Sequence, residues 1–175
     1  MPGKNVVLIG FMGTGKSSVG KLLAKYLKRE ALDLDHLIEA QEKKKIASIF
    51  SEKGEAYFRL IEKKIVQKAC QNMNSVIITG GGVVLDEENW ADLKAAGLVI
   101  ALDASPRSIF NRVRHSSHRP LLKKEGLYEE IVKLLKQRKP YYKRADIIFH
   151  TDGKTPAQVA SLLLKKIVDK MGKNS

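Results

Sequence analysis

A chain of 175 residues, 43% apolar and 29% charged, is sized for one domain around a single core. Its apolar runs fall short of the ~18 residues that would span a bilayer, which argues against a membrane protein, and one cysteine, Cys70, excludes an intrachain disulfide. The net charge of +13 raises nucleic-acid binding, but the lysines fall in short groups such as Lys43-Lys44-Lys45 and Lys63-Lys64 with no interleaved aromatic platform, so solvated helix faces and anionic small substrates are expected instead.

The opening Met1-Pro2-Gly3-Lys4 runs straight into an apolar stretch, which leaves no room for a secretory signal, and Pro2 removes the glycine needed for myristoylation. A cytoplasmic protein is the expectation. Val6-Val7-Leu8-Ile9 then reads as a buried strand, followed by Gly10-Phe-Met-Gly-Thr-Gly-Lys-Ser17 and a segment of helical periodicity. Strand, glycine-rich turn and helix at this spacing form a phosphate-binding P-loop. Backbone amides at a helix N-terminus, aided by the helix dipole, cradle an anion. Gly13, Thr14, Gly15, Lys16, Ser17 and Ser18 are therefore expected to bind ATP, with Lys16 reaching the β- and γ-phosphates and Ser17 ligating Mg²⁺.

Val19, Leu22, Leu23, Tyr26 and Leu27 are expected on the inward face of the helix after the loop. Ala31-Leu32-Asp33 reads as a second strand. Alternation along it would send Asp33 toward the metal and Asp35 toward a second substrate on the opposite face. From about 36 to 72 the text is helical, interrupted near Lys53-Gly54, which is long enough for a small substrate-binding excursion. Ser75 to Thr79 is a buried strand closed by Gly80-Gly81-Gly82, more glycine than a turn needs, so close approach of backbone to a ligand is expected there.

Trp90 to Ala96 reads as a short helix stopped by Gly97, Leu98 to Leu102 as a strand, and Ser105-Pro106 as the capped start of a helix to about Arg114. His115 to Lys124 breaks into a basic loop. Leu127 to Arg144 is helical apart from Pro140, Asp146 to His150 is a fifth strand, and Thr155-Pro156 opens a last helix with Val159, Leu162, Leu163 and Ile167 inward. Short apolar strands alternating with helices predict an α/β three-layer sandwich around a five-stranded parallel sheet.

The loop at 10–17, the Asp33-x-Asp35 pair, Gly54-Glu-Ala-Tyr-Phe-Arg-Leu-Ile-Glu62, Thr79-Gly80-Gly81-Gly82, Arg119-Pro-Leu-Leu122 and Arg138-x-Pro-x-Tyr142 with Ala145-Asp146 occur in that order across nearly the whole chain. In this the sequence resembles the shikimate kinase family of P-loop kinases. The resemblance implies an ATP-dependent transfer to the 3-hydroxyl of shikimate, on the route to chorismate and the aromatic amino acids. It implies Arg59 and Arg138 on the substrate carboxylate, with backbone at Gly80, Gly81 and Gly82 contacting the substrate. Asp35 would hold ring hydroxyls and accept the proton, and Asp33 would sit with Ser17 at Mg²⁺. The stretch 112–124 would be a mobile lid, bringing Arg119 onto the phosphates while Arg112 stacks on adenine. Arg114 competes with Arg112 for that place, and 154–156 aligns loosely. Leu34 departs from the small or hydroxyl residues frequent between the two aspartates.

Two rivals are weighed: a kinase for gluconate or a nucleoside monophosphate on the same fold, and a non-catalytic nucleotide-dependent or RNA-binding module. The Arg59, triple-glycine and Arg138 set opposes the first, and the intact Lys16, Asp35 and Arg119 set opposes the second. The expected partners are ATP and shikimate alone, without nucleic acid or membrane, and the chain is expected to be a single-domain monomer.

Overall fold

The computed structural model describes residues 3–114 and 126–172. Five strands, β1 (Asn5–Gly10), β2 (Glu30–Asp33), β3 (Ser75–Ile78), β4 (Gly97–Asp103) and β5 (Ile147–His150), form one parallel sheet in the order β2-β3-β1-β4-β5. Central β1 pairs Val7 with Ile77 on one side and with Val99 on the other. Among the described residues seven α-helices connect and cover the sheet: α1 (Lys16–Leu27), α2 (Leu34–Glu42), α3 (Ile46–Cys70), α4 (Glu87–Ala96), α5 (Pro106–Val113), α6 (Leu127–Tyr142) and α7 (Pro156–Gly172).

The two-residue period of a strand divides the core. Val6 and Leu8 face α1 and α7, meeting Val19, Leu23, Val159 and Leu163. Val7 and Ile9 face the opposite layer, with Ile38, Phe58, Ile65 and Leu93. All six residues of β1 are buried, as expected of a parallel strand covered on both faces. A third cluster, Phe11, Ile109, Val113 and Ile131, packs α5 and α6 beside the glycine-rich loop.

Local signals explain the element boundaries. Ser105 caps α5, its hydroxyl accepting from the Ser108 amide, with Pro106 at the first helical position. Asp86 caps α4 through the Asn89 amide. Gly54 breaks α3 with φ 80° and ψ 171°, where the sequence placed the interruption.

Two expectations are corrected. Tyr26 is 42% exposed, because the buried stripe of α1 runs through Lys16, Val19, Gly20, Leu23 and Ala24. A Cβ at Gly20 would stand 2.5 Å from the Ile78 side chain, so α1 sits close on β3 at a position that a count of large apolar residues passes over. Leu162 is 40% exposed, on the flank of the stripe made by Val159, Ala160, Leu163 and Ile167. Gly97 follows the last residue of α4, as expected of its stop; with φ 176° it is extended and begins β4 directly.

The chain leaves β1 toward β2 on one side and leaves neighbouring β3 toward β4 on the other. Loops that diverge from adjacent strands open a crevice at their carboxyl ends, where open parallel sheets bind ligands.

Candidate active site

A cleft of about 880 Å³ occupies that crevice, within the range of small-molecule sites. One wall is the turn after β1. The Thr14 amide and hydroxyl both donate to the Phe11 carbonyl, at 3.3 and 2.8 Å, and Gly15 enters α1 in the left-handed region with φ 96°. The first turn of α1 carries no acidic residue, so its amides and dipole favour an anion. Lys16 is buried at the head of the helix and donates to the carbonyls of Gly10 at 2.8 Å and Phe11 at 3.0 Å. Gly13, Thr14, Gly15, Lys16, Ser17 and Ser18 all line the cleft.

Asp33 and Asp35 line it too, but not as the alternation argument expected. The strand ends at Asp33, which occupies the N-cap position of α2 without a side-chain capping bond, and Asp35 lies in the first helical turn. The pair reaches one cleft because the backbone changes from strand to helix between them. Leu34 is buried, so the unusual residue there packs into the core.

The facing wall is built from distant segments. Arg59, half-buried on α3, donates from Nη1 to Glu62 at 2.7 Å and from Nη2 to Glu55 at 3.1 Å. Burial pulls the Arg59 pKa down, but Glu62 and Glu55 outweigh it and the value is raised. Burial also pushes the Glu62 carboxyl up; the Arg59 charge opposes this, while Asp35 and Asp86 add to it, and the net direction is upward. Glu62 is the residue whose role was missed. Its signal was present, since a glutamate three residues after an arginine shares its helix face.

The three glycines fit between these groups. A Cβ at Gly80 would stand 2.9 Å from Asp35 Oδ1 and 3.3 Å from Glu62 Oε1, and one at Gly82 would stand 2.9 Å from Arg59 Nη2. A side chain at either position would push these carboxylate and guanidinium ends aside. Gly81 lies between, its carbonyl accepting from the Tyr142 hydroxyl at 2.6 Å. Burial pushes the Tyr142 phenol up to about 12, with Arg138 opposing, so it remains a donor. Arg138, on the same helix and itself buried, stacks 5.6 Å from the Phe11 ring centroid and lines the cleft.

At the far end Arg112 donates to the Gly13 carbonyl at 3.1 Å and to Thr151 Oγ1 at 3.3 Å. Arg112 lines the cleft and Arg114 does not. Lys154 and Pro156, given no firm role from sequence, also border it. Arg119 and most of the expected lid lie outside the described residues. Among the described residues no cluster of three or more His, Cys, Asp or Glu could hold a metal by itself, and no helix is long and apolar enough to cross a membrane. A cation brought in by a triphosphate would still find the Ser17 hydroxyl and the Asp33 carboxylate in one cleft, the sparse protein ligation Mg²⁺ accepts.

The chain is similar to known proteins along nearly its whole length. The shikimate kinase family model matches residues 12–168. The shikimate kinase of Thermodesulfovibrio yellowstonii is 46% identical over 163 residues, covering 93% of this chain and 94% of that protein. That of Persephonella marina is 45% identical, covering 94% and 99%. The structure of shikimate kinase from Acinetobacter baumannii in complex with shikimate superposes with a TM-score of 0.92 at 33% identity, covering 95% of this chain and 94% of that one.

Proposed function

This chain belongs to the shikimate kinase family, and we propose that it transfers the γ-phosphate of ATP to the 3-hydroxyl of shikimate, giving shikimate 3-phosphate and ADP. The observation that carries the reading is the convergence, in one cleft, of a triphosphate loop with two arginines, two aspartates and a glycine-lined wall. Shikimate offers one carboxylate and three ring hydroxyls, and this wall holds the complementary groups.

Arg59 and Arg138 grip the carboxylate; the planar guanidinium suits it, and Glu62 and Phe11 respectively hold the two side chains in place. Backbone at Gly80, Gly81 and Gly82 lets the ring approach. Asp35 orients the attacking hydroxyl. As the hydroxyl oxygen bonds to the γ-phosphorus, the bond to the ADP oxygen breaks and the proton passes toward Asp35. Phosphoryl transfer of this kind depends on positioning and charge stabilisation more than on covalent help from the protein. Lys16 and the amides from Gly13 to Ser18 hold the phosphates, Arg119 adds positive charge there, and Arg112 stacks on adenine. Ser17 and Asp33 would hold Mg²⁺, which would supply positive charge against the phosphates during transfer.

The reading further takes the protein to work as a monomer in the cytoplasm. A coupled ADP-release assay with shikimate, gluconate and AMP tests the acceptor. Turnover is expected with shikimate alone, and turnover with gluconate or AMP but none with shikimate would overturn the assignment.

A further inference from the structure

A second cavity of about 630 Å³ lies outside the cleft, between α6 and the carboxyl ends of β4 and β5. Its floor is apolar. Ile148 on edge strand β5 is 44% exposed and Val132 on α6 is 39% exposed, with Leu135 and Pro106 completing the surface. Apolar side chains left open in a concavity of this size mark a ligand-sized site.

The rim carries unbalanced charge. Lys136, Lys139 and Lys143 follow one another along α6 at spacings of three and four, so they share one side of the helix. None of the three pairs with a carboxylate among the described residues. The acids on the opposite rim are already engaged. Asp103 lies 3.2 Å from His150 Nδ1, and Asp152 accepts from the Ser105 amide at 3.0 Å and from its hydroxyl at 3.3 Å. An incoming ligand therefore meets an apolar floor, three ammonium groups without a carboxylate partner among the described residues, and two carboxylates on the far rim that already have their own hydrogen-bond partners.

We propose that this groove is a second binding site, for a small amphipathic anion: a rigid apolar body of one or two rings carrying a carboxylate or sulfonate. The body covers Ile148, Val132 and Leu135, and the anionic group lies against Lys136 and Lys139. Among the described residues the groove and the cleft share no lining residue; Tyr142 borders the groove, and its hydroxyl donates to the Gly81 carbonyl at the cleft wall.

The probe is 1-anilinonaphthalene-8-sulfonate, titrated by fluorescence against the whole protein with ADP and shikimate saturating the main cleft. One saturable site is expected, with a dissociation constant on the order of 10–100 µM for a ligand of this size. Its uncharged analogue N-phenyl-1-naphthylamine should bind at least about tenfold more weakly, because one charge-assisted contact is worth that much. The double variant Lys136→Glu with Lys139→Glu should weaken the sulfonate by more than about tenfold, with turnover of ATP and shikimate and the thermal midpoint unchanged. Loss of the signal when ADP and shikimate fill the cleft would overturn the site. Equal binding of the uncharged analogue would do so as well, and that comparison uses the unmodified protein and so survives a variant that fails to fold. A sedimentation result showing the groove closed by a second copy of the chain would replace the small anion with self-association and overturn the proposal.

Discussion

The two halves of the cleft are made differently. The donor half is mostly backbone: one turn, one helix N-terminus and one lysine, all within residues 10–18. The acceptor half is mostly side chain, gathered from α2, α3, the loop after β3 and α6, and held by contacts such as Arg59–Glu62 and Tyr142–Gly81. A backbone site inherits its shape from the fold and tolerates change nearby. A side-chain site depends on a buried partner for every gripping group, so its failures should be graded and sensitive to pH.

The largest effect tests the donor half. Lys16→Ala should lower turnover on the order of 10³-fold, since it removes a charge that stabilises the transferring phosphate. A loss below tenfold in a steady-state assay would show that the backbone alone suffices and would sharpen the contrast further. On the acceptor side, Arg138→Ala should raise the Michaelis constant for shikimate roughly 10- to 100-fold while that for ATP stays within about twofold. Equal weakening of ATP would break the division into halves.

Arg59→Ala should act on shikimate similarly but also destabilise the protein by about 1–3 kcal/mol, because Glu62 is left buried without its partner. Adding Glu62→Gln to Arg59→Ala should restore most of that stability in denaturant melts and none of the affinity. Gly82→Ala should raise the shikimate Michaelis constant about tenfold, because the new methyl group displaces the guanidinium that stands 2.9 Å from it. The smallest effect is in pH. Burial holds the Glu62 pKa above the usual glutamate range, so on acidification it protonates earlier than an exposed glutamate would and releases its charge pairing with Arg59. The Michaelis constant for shikimate should rise several-fold as pH falls through that raised value, and the rise should disappear in Glu62→Gln.

The same division decided what could be read in advance. The phosphate loop is contiguous, and its spacing carries its chemistry, so residues 10–18 were legible from text alone. Short apolar strands alternating with helices pointed to the five-stranded parallel sheet, because a strand buried on both faces leaves a continuous apolar run such as Val6–Ile9. The residues proposed for the acceptor, Arg59, Gly80 to Gly82 and Arg138, stand out in the sequence only as a combination of motifs, and no local pattern joins them. Glu62 escaped because its role comes from burial behind Arg59, a property of packing. Asp33 and Asp35 reach one cleft by a route the alternation argument did not describe: a strand-to-helix boundary lies between them, invisible to an argument that extended the strand. Gly20 was passed over because a glycine that lets a helix approach a sheet adds nothing to a count of apolar side chains.

The order of strands has a consequence for how the chain is made. β1 is synthesised first yet stands in the middle, between β3 at 75–78 and β4 at 97–103. An emerging chain therefore carries the phosphate loop long before either neighbour exists to fix it. Contacts between segments so far apart in sequence form late. Ribosome-stalled chains ending before residue 103 should gain no protease resistance from ATP, and resistance should appear once β4 has cleared the exit tunnel.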